Sequence, residues 1–168
     1  MENLKNKVQE IIDSKKAKGI AMMAQALGVT HAQVIEVLDA KYAKVVTKDN
    51  FYRVWDFLTS RDSLTLLVIS DGNIFEVKSK VVPGKEAQGY FNLFGSEPLQ
   101  GHIKIDAVDE IALLSVPFMS FESHQIAFLN TQGHIMYSFY LSRDDSHKLL
   151  ENDVNAFLAL KEELTCKA

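Results

Sequence analysis

Hydrophobic positions recur at helical spacing in the first third of the chain and at every second residue through the middle. Over residues 2–16, Leu4, Val8, Ile11 and Ile12 fall on one stripe with Lys, Glu and Gln between them, which predicts an amphipathic helix. Ile20–Leu27 predicts a second helix ended by Gly28, and Thr30 predicts the cap of a third that carries Val34, Ile35 and Leu38. Residues 42–47 read as a short strand. Asp49 or Asn50 then caps a helix with Phe51, Val54, Trp55 and Leu58 on one stripe.

From Ser63 the period becomes two. Residues 63–70 are almost continuously aliphatic, the pattern of a strand buried on both faces. Asp71-Gly72 predicts a tight hairpin. In the strand that follows, over residues 74–80, Ile74, Glu76, Lys78 and Lys80 alternate with Phe75 and Val77. Pro83-Gly84 makes a turn, and two short strands occupy residues 89–104. Residues 111–116 predict another strand, ended by the Pro117-Phe118-Met119 corner. Residues 123–130 and 134–141 predict a hairpin around Thr131-Gln132-Gly133. After Arg143-Asp144-Asp145 the helical period returns, with Val154, Phe157, Leu158 and Leu164 facing inward. The order predicts one α+β domain: a helical cap over 1–40, mainly antiparallel sheet over 42–142 and a C-terminal helix over 145–165.

Composition narrows the class. A chain of 168 residues with 47% hydrophobic and 24% charged positions has the composition of a soluble globular domain. A net charge of -4 argues against generic binding to nucleic acid or to a membrane surface, where a basic stripe is expected. No apolar run reaches membrane-spanning length, and the first residues lack the apolar core of a signal peptide. The single cysteine, Cys166, excludes an intramolecular disulfide and a cysteine metal cage. These features lead us to expect a cytoplasmic protein.

The most distinctive chemistry lies in residues 89–104, where Gly89, Gly95 and Gly101 bracket two short strands. Tyr90 and His102 each carry a donor able to bind ferric iron in a haem. If even positions pair with even positions across the hairpin, the two side chains share a face; a slip of one residue separates them. Elsewhere the signals are weak. Residues 20–39 have a helix-turn-helix outline that would present His31 and Gln33 to bases. Glu36 and Asp39 stand there in place of a phosphate clamp. His124 and His134 flank one hairpin, but two ligands do not make a zinc site, and exposed strand ends are the expectation. No phosphate loop, nucleophile elbow or zinc-protease motif occurs.

Four segments occur in order: Gly-Tyr-Phe-Asn-Leu-x-Gly from Gly89, Gly-His-Ile-Lys from Gly101, Pro-Phe-Met-x-x-Glu-Ser from Pro117 and Leu-x-Arg-Asp-Asp from Leu141. Together they resemble the HutX/ChuX family of intracellular haem-utilisation carriers over nearly the whole chain. The resemblance implies an antiparallel sheet domain with flanking helices, like one half of a duplicated HemS/ChuS-type protein. It implies ferric haem b bound as cargo, a haem-degrading partner as acceptor, and a homodimer. It implies neither catalysis, nucleic-acid binding nor stable membrane insertion. Tyr90 and His102 fall on the family's iron-coordinating positions and stand as alternative axial ligands. Lys104 and Arg143 are candidates to pair with the propionates, and Met119 to line the pocket. Some relatives have a further histidine where this chain has Ile69, so a bis-histidine site using that position is ruled out here. The alternatives are a haem-degrading enzyme and a DNA-binding regulator built on residues 20–39.

Overall fold

The computed structural model describes residues 2–165. The helical cap consists of α1 (Glu2–Asp13), α2 (Ile20–Leu27) and α3 (His31–Glu36). Gly28 ends α2 in the left-handed region at φ 67°. Thr30 and Gln33 then form a reciprocal capping box that starts α3. After β1 (Ala43–Thr47), α4 (Phe51–Thr59) presents Phe51, Val54, Trp55 and Leu58 inward, with Phe57 beside them.

The remaining strands are β2 (Leu64–Ser70), β3 (Asn73–Ser79), β4 (Gly84–Ala87), β5 (Tyr90–Leu93), β6 (Gly101–Ile103), β7 (Glu110–Leu114), β8 (Gln125–Leu129) and β9 (Ile135–Leu141). All pairings between them are antiparallel, so the α+β class holds. They divide into two sheets. A six-stranded sheet runs β1-β7-β8-β9-β2-β3, and β4-β5-β6 form a separate three-stranded sheet. The β2–β3 turn is Asp71-Gly72 at φ 50° and 82°, as a two-residue hairpin requires.

The C-terminal helix, α5 (Glu151–Glu163), starts six residues later than the periodicity predicts. The Asp144 carboxylate accepts the amides of Ser146 and Lys148 and holds residues 143–149 in a loop. Phe157, Leu160 and Leu164 face the core, whereas Leu158 is 44% exposed, against the predicted stripe. Cys166 lies outside the described residues.

The six-stranded sheet separates two cores. On one face Val46, Leu64, Ile111, Leu113, Ile126, Phe128 and Phe139 meet α4, α5 and the small sheet. On the other, Ala112, Leu114, Ala127 and Leu129 meet α1, α2 and α3. The helical cap covers the β1-β7-β8 half of that second face and stops. Strand β2 is therefore not buried on both faces as its aliphatic run predicts. Only Leu64 is fully buried, and exposure rises towards the turn, to 39% at Ile69.

An aromatic cluster joins the small sheet to the large one. Phe91 of β5 lies edge-on to Phe51 and Trp55, each with ring centroids 5.3 Å away. Trp55 also meets Phe139 at 5.7 Å and donates its indole N–H to the Val82 carbonyl at 3.1 Å. Aromatic pairs of this kind add about 0.5–1.5 kcal/mol each beyond area burial. Gly84 of β4 sits directly against the Phe91 ring, where a Cβ would overlap it. We expect Gly84→Ala to push Phe91 out of the cluster and destabilise the fold by about 1–3 kcal/mol, as overpacking does. The urea midpoint measures this, and an unchanged midpoint would show that the small sheet absorbs the added methyl.

Candidate functional site

Strand β5 follows a turn in which Gln88 and Gly89 both take positive φ. Its odd residues, Phe91 and Leu93, point into the core, which leaves Tyr90 45% and Phe94 64% exposed. Asn92 pairs with His102 across the β5–β6 ladder. Even positions therefore pair with even positions, and Tyr90 and His102 share the outer face. Their rings lie edge-on with centroids 6.0 Å apart, and Phe94 approaches the same imidazole at 6.3 Å. Asn92 is 7% exposed and contacts His102 Nδ1 through its Oδ1 at 2.6 Å. Lys104 follows on the exposed end of β6. The structure thus brings Tyr90, His102 and Lys104 to one exposed surface.

The large cavity lies elsewhere. It has a volume of about 880 Å³ and occupies the part of the six-stranded sheet that the helical cap leaves bare. That size sits within the roughly 300–1,000 Å³ of ordinary small-molecule sites. Its floor is Leu67 and Ile69 of β2, Ile74 of β3 and Tyr140 of β9. Phe118, Phe121 and Met22 stand at its walls, and Lys18, Lys78 and Arg143 supply positive charge beside Glu76, Asp144 and Asp145. Because Leu64 and Leu66 of β2 face the α4 core, Thr65, Leu67 and Ile69 must face the opposite way. The cavity and the Tyr90–His102 surface are therefore on opposite sides of the main sheet.

Arg143 lines the cavity, and its guanidinium already ties the rim together by donating to the carbonyls of Glu122 and His147. Met119 does not line it. Its backbone turns through φ 59°, its amide donates to the Ala17 carbonyl at 2.6 Å, and its neighbours Phe118 and Phe121 reach the cavity instead. Met119 and Arg143 are thus separated from Tyr90, His102 and Lys104. Periodicity missed the floor residues, although their signal was present: an aliphatic strand followed by Ile74 makes a second apolar face that no predicted helix covers.

The cavity's own donors are poor metal ligands. Burial pushes the Tyr140 phenol up to about 12 despite its hydrogen bond with Gln125, with Glu76 adding to the rise. Burial alone drives Tyr137 higher still, and its hydroxyl has no hydrogen-bond partner among the described residues. Neither becomes a phenolate readily. His31 Nδ1 accepts the Ile135 amide at 2.7 Å, so the neutral ring carries its proton on Nε2. Its pKa is lowered by burial first and by His134 second. Those rings lie edge-on at 5.4 Å.

Other candidates are engaged structurally. Gln33 caps α3 through the Thr30 amide and His31 is bonded to β9, so both residues proposed to read bases have internal partners. His124 is not an exposed strand end and does not face His134. It is 5% exposed, packs on Phe157, and contacts Ser115 Oγ at 3.0 Å and Glu122 Oε1 at 2.8 Å. No group of three or more His, Cys, Asp or Glu residues placed to hold a metal ion exists among the described residues. Nor is any helix among them long and apolar enough to cross a membrane.

Comparison with known proteins gives concordant matches. The sequence model of the haem utilisation ChuX/HutX family matches residues 44–160. The intracellular heme transport protein HutX of Vibrio cholerae is 32% identical over 164 residues, covering 97% of this chain and 85% of its own. The solved structure of the heme binding protein ChuX superimposes with a TM-score of 0.82 at 31% identity, covering 92% of this chain and 97% of its own. ChuS, an E. coli heme oxygenase, shares the fold with a TM-score of 0.74 at 12% identity; the match covers 91% of this chain and 47% of ChuS.

The His31 geometry sets a pH dependence. Its folded pKa lies below the ordinary 6.5, so between those values the unfolded chain binds more protons and stability rises with pH. The contribution is complete above about pH 6.5 and is lost as the pH falls through the folded value. His31→Asn keeps an acceptor for the Ile135 amide without titrating. Urea midpoints measured from pH 5 to 7.5 should therefore fall less steeply on the acid side in the variant.

Proposed function

The chain belongs to the haem utilisation ChuX/HutX family, and from that premise we propose that it is an intracellular haem carrier. It takes up ferric haem b as cargo and hands it intact to a haem-degrading partner. The observation that carries this reading is the separation of an apolar slot from the outward iron donors. The bare floor of Leu67, Ile69 and Ile74 suits one face of a flat macrocycle, and transfer of that apolar surface from water is worth about 25 cal/mol per Å². Arg143, Lys18 and Lys78 at the rim are placed to pair with propionates. Arg143 would exchange a carbonyl partner for a carboxylate to do so.

Iron coordination falls to Tyr90 or His102. A tyrosinate favours ferric iron, and an imidazole serves either oxidation state. One chain cannot bring these donors over its own cavity, because the main sheet stands between them. A homodimer resolves this. The hairpin of one copy meets the cavity of the other, with Lys104 arriving beside the donors. Exposed Ile74 and Phe75 on edge strand β3 add apolar surface for a second copy to cover. A site divided between two chains also opens without unfolding either, which suits a protein that must release its cargo.

Spectroscopic titration of the haem-free protein tests this. A Soret band saturating at one haem per chain is expected, and no saturable binding would overturn the reading. Tyr90→Phe and His102→Ala identify the donor, whose loss should weaken binding by at least the roughly 10-fold that removing a supporting residue alone costs. Mixing the donor-less double variant with Ile69→Glu, which keeps the donors but blocks the slot, should restore some binding; no recovery would exclude the shared site. With reductant and catalase under air the haem should persist, whereas release of a defined open tetrapyrrole would make the protein a degrader.

A further inference from the structure

We propose that Asn92 is a positioning residue that locks His102 in its Nδ1–H tautomer and keeps the Nε2 lone pair free for iron. The inference deepens the carrier reading and rests on it for the identity of the metal. The lock itself rests on hydrogen-bond chemistry alone.

Asn92 is buried although its immediate neighbours Tyr90 and Phe94 on that face are exposed. Its Nδ2 lies 3.1 Å from the Lys85 carbonyl, 3.1 Å from that of Ala87 and 3.0 Å from that of Tyr90. Carbonyl oxygens only accept, so the amide cannot be turned over: the nitrogen must occupy that end and the oxygen the other. The oxygen then faces His102 Nδ1 at 2.6 Å. An amide oxygen has no proton to give. The proton in that contact belongs to the imidazole, and Nε2 of the neutral ring keeps its lone pair. The other tautomer would set two lone pairs against each other at hydrogen-bond distance and leave a buried oxygen unpaired.

His102 is distinctive among the histidines with hydrogen-bonded rings. His31 uses its Nδ1 lone pair internally and so presents an N–H at Nε2. His124 has both nitrogens engaged, by Ser115 and Glu122. Only His102 of these three has one nitrogen fixed as a donor and no hydrogen bond from the other to the described residues. The partner is also neutral. A carboxylate behind the ring would draw the proton further and strengthen the imidazole as a ligand. An amide orients it with less gain in basicity, which fits a carrier that must let go.

The primary test is the tautomer itself. Long-range proton–nitrogen NMR of the haem-free protein labelled at histidine nitrogen, above neutral pH and assigned with His102→Gln, should show a protonated Nδ1 and an unprotonated Nε2. A protonated Nε2, or a rapid mixture of tautomers, would overturn the lock in the unmodified protein, whatever the variants do. The second test isolates imidazole ligation by working in Tyr90→Phe. There, Asn92→Leu should weaken ferric haem binding by roughly 10–100-fold, the usual cost of losing a ligand's supporting residue. In the same Asn92→Leu protein the His102 ring nitrogens should show a mixture of tautomers, a change that a merely structural role for Asn92 would not produce. Equal affinity with Asn and Leu at position 92 would overturn the positioning role. Failure of the unmodified protein to take up haem would instead overturn the carrier reading, with the tautomer measurement still deciding the lock.

Discussion

The structure depends on the unequal covering of one antiparallel sheet. Three short helices shield the β1-β7-β8 half of one face, while the β9-β2-β3 half stays bare. Apolar sheet left open to water is unfavourable by about 25 cal/mol per Å² and invites unwanted pairing at its edge. Here that face carries Leu67, Ile69 and Ile74 where a self-contained domain would carry polar residues. The bare face is bounded by Phe118, Phe121 and the start of α2, which give it walls and make it a slot. Stability is supplied from the other side, where α4, α5 and the small sheet enclose the aromatic cluster around Trp55.

That arrangement divides two tasks. The slot offers apolar area and cationic side chains at its edge, but its phenols are held protonated by burial and its half-buried histidine has committed its lone pair to the backbone. The small sheet offers accessible donors and no enclosure. Phe91 anchors this second element in the core, so the direction of Tyr90 and His102 follows from strand alternation around a fixed point. In the proposed carrier, affinity comes from two surfaces that meet only when two copies associate. Release then requires parting them rather than breaking a core.

Histidine illustrates how far local partners decide chemistry. His31 is an acceptor to β9 and stays neutral more readily than a free imidazole. His124 bridges Ser115 and Glu122 beneath α5. His102 is held from behind by an amide oxygen and faces outward. The same side chain thus serves as a structural acceptor, a buried bridge and an open donor.

Periodicity and turn chemistry alone determined the helical cap, the Gly28 and Thr30 boundaries, the Asp71-Gly72 hairpin and the antiparallel α+β class, because those features rest on contacts within a few residues. Alternation also determined that Phe91 and Leu93 oppose Tyr90 and Asn92. Only the tertiary structure decided the rest, because it depends on elements far apart in the chain. The ladder register put Tyr90 and His102 on one face, and the division into two sheets placed them across the main sheet from Arg143. A strand apolar on both sides reads as doubly buried in one dimension; in three it became the floor of a slot, because the helical cap packs on β1, β7 and β8 instead.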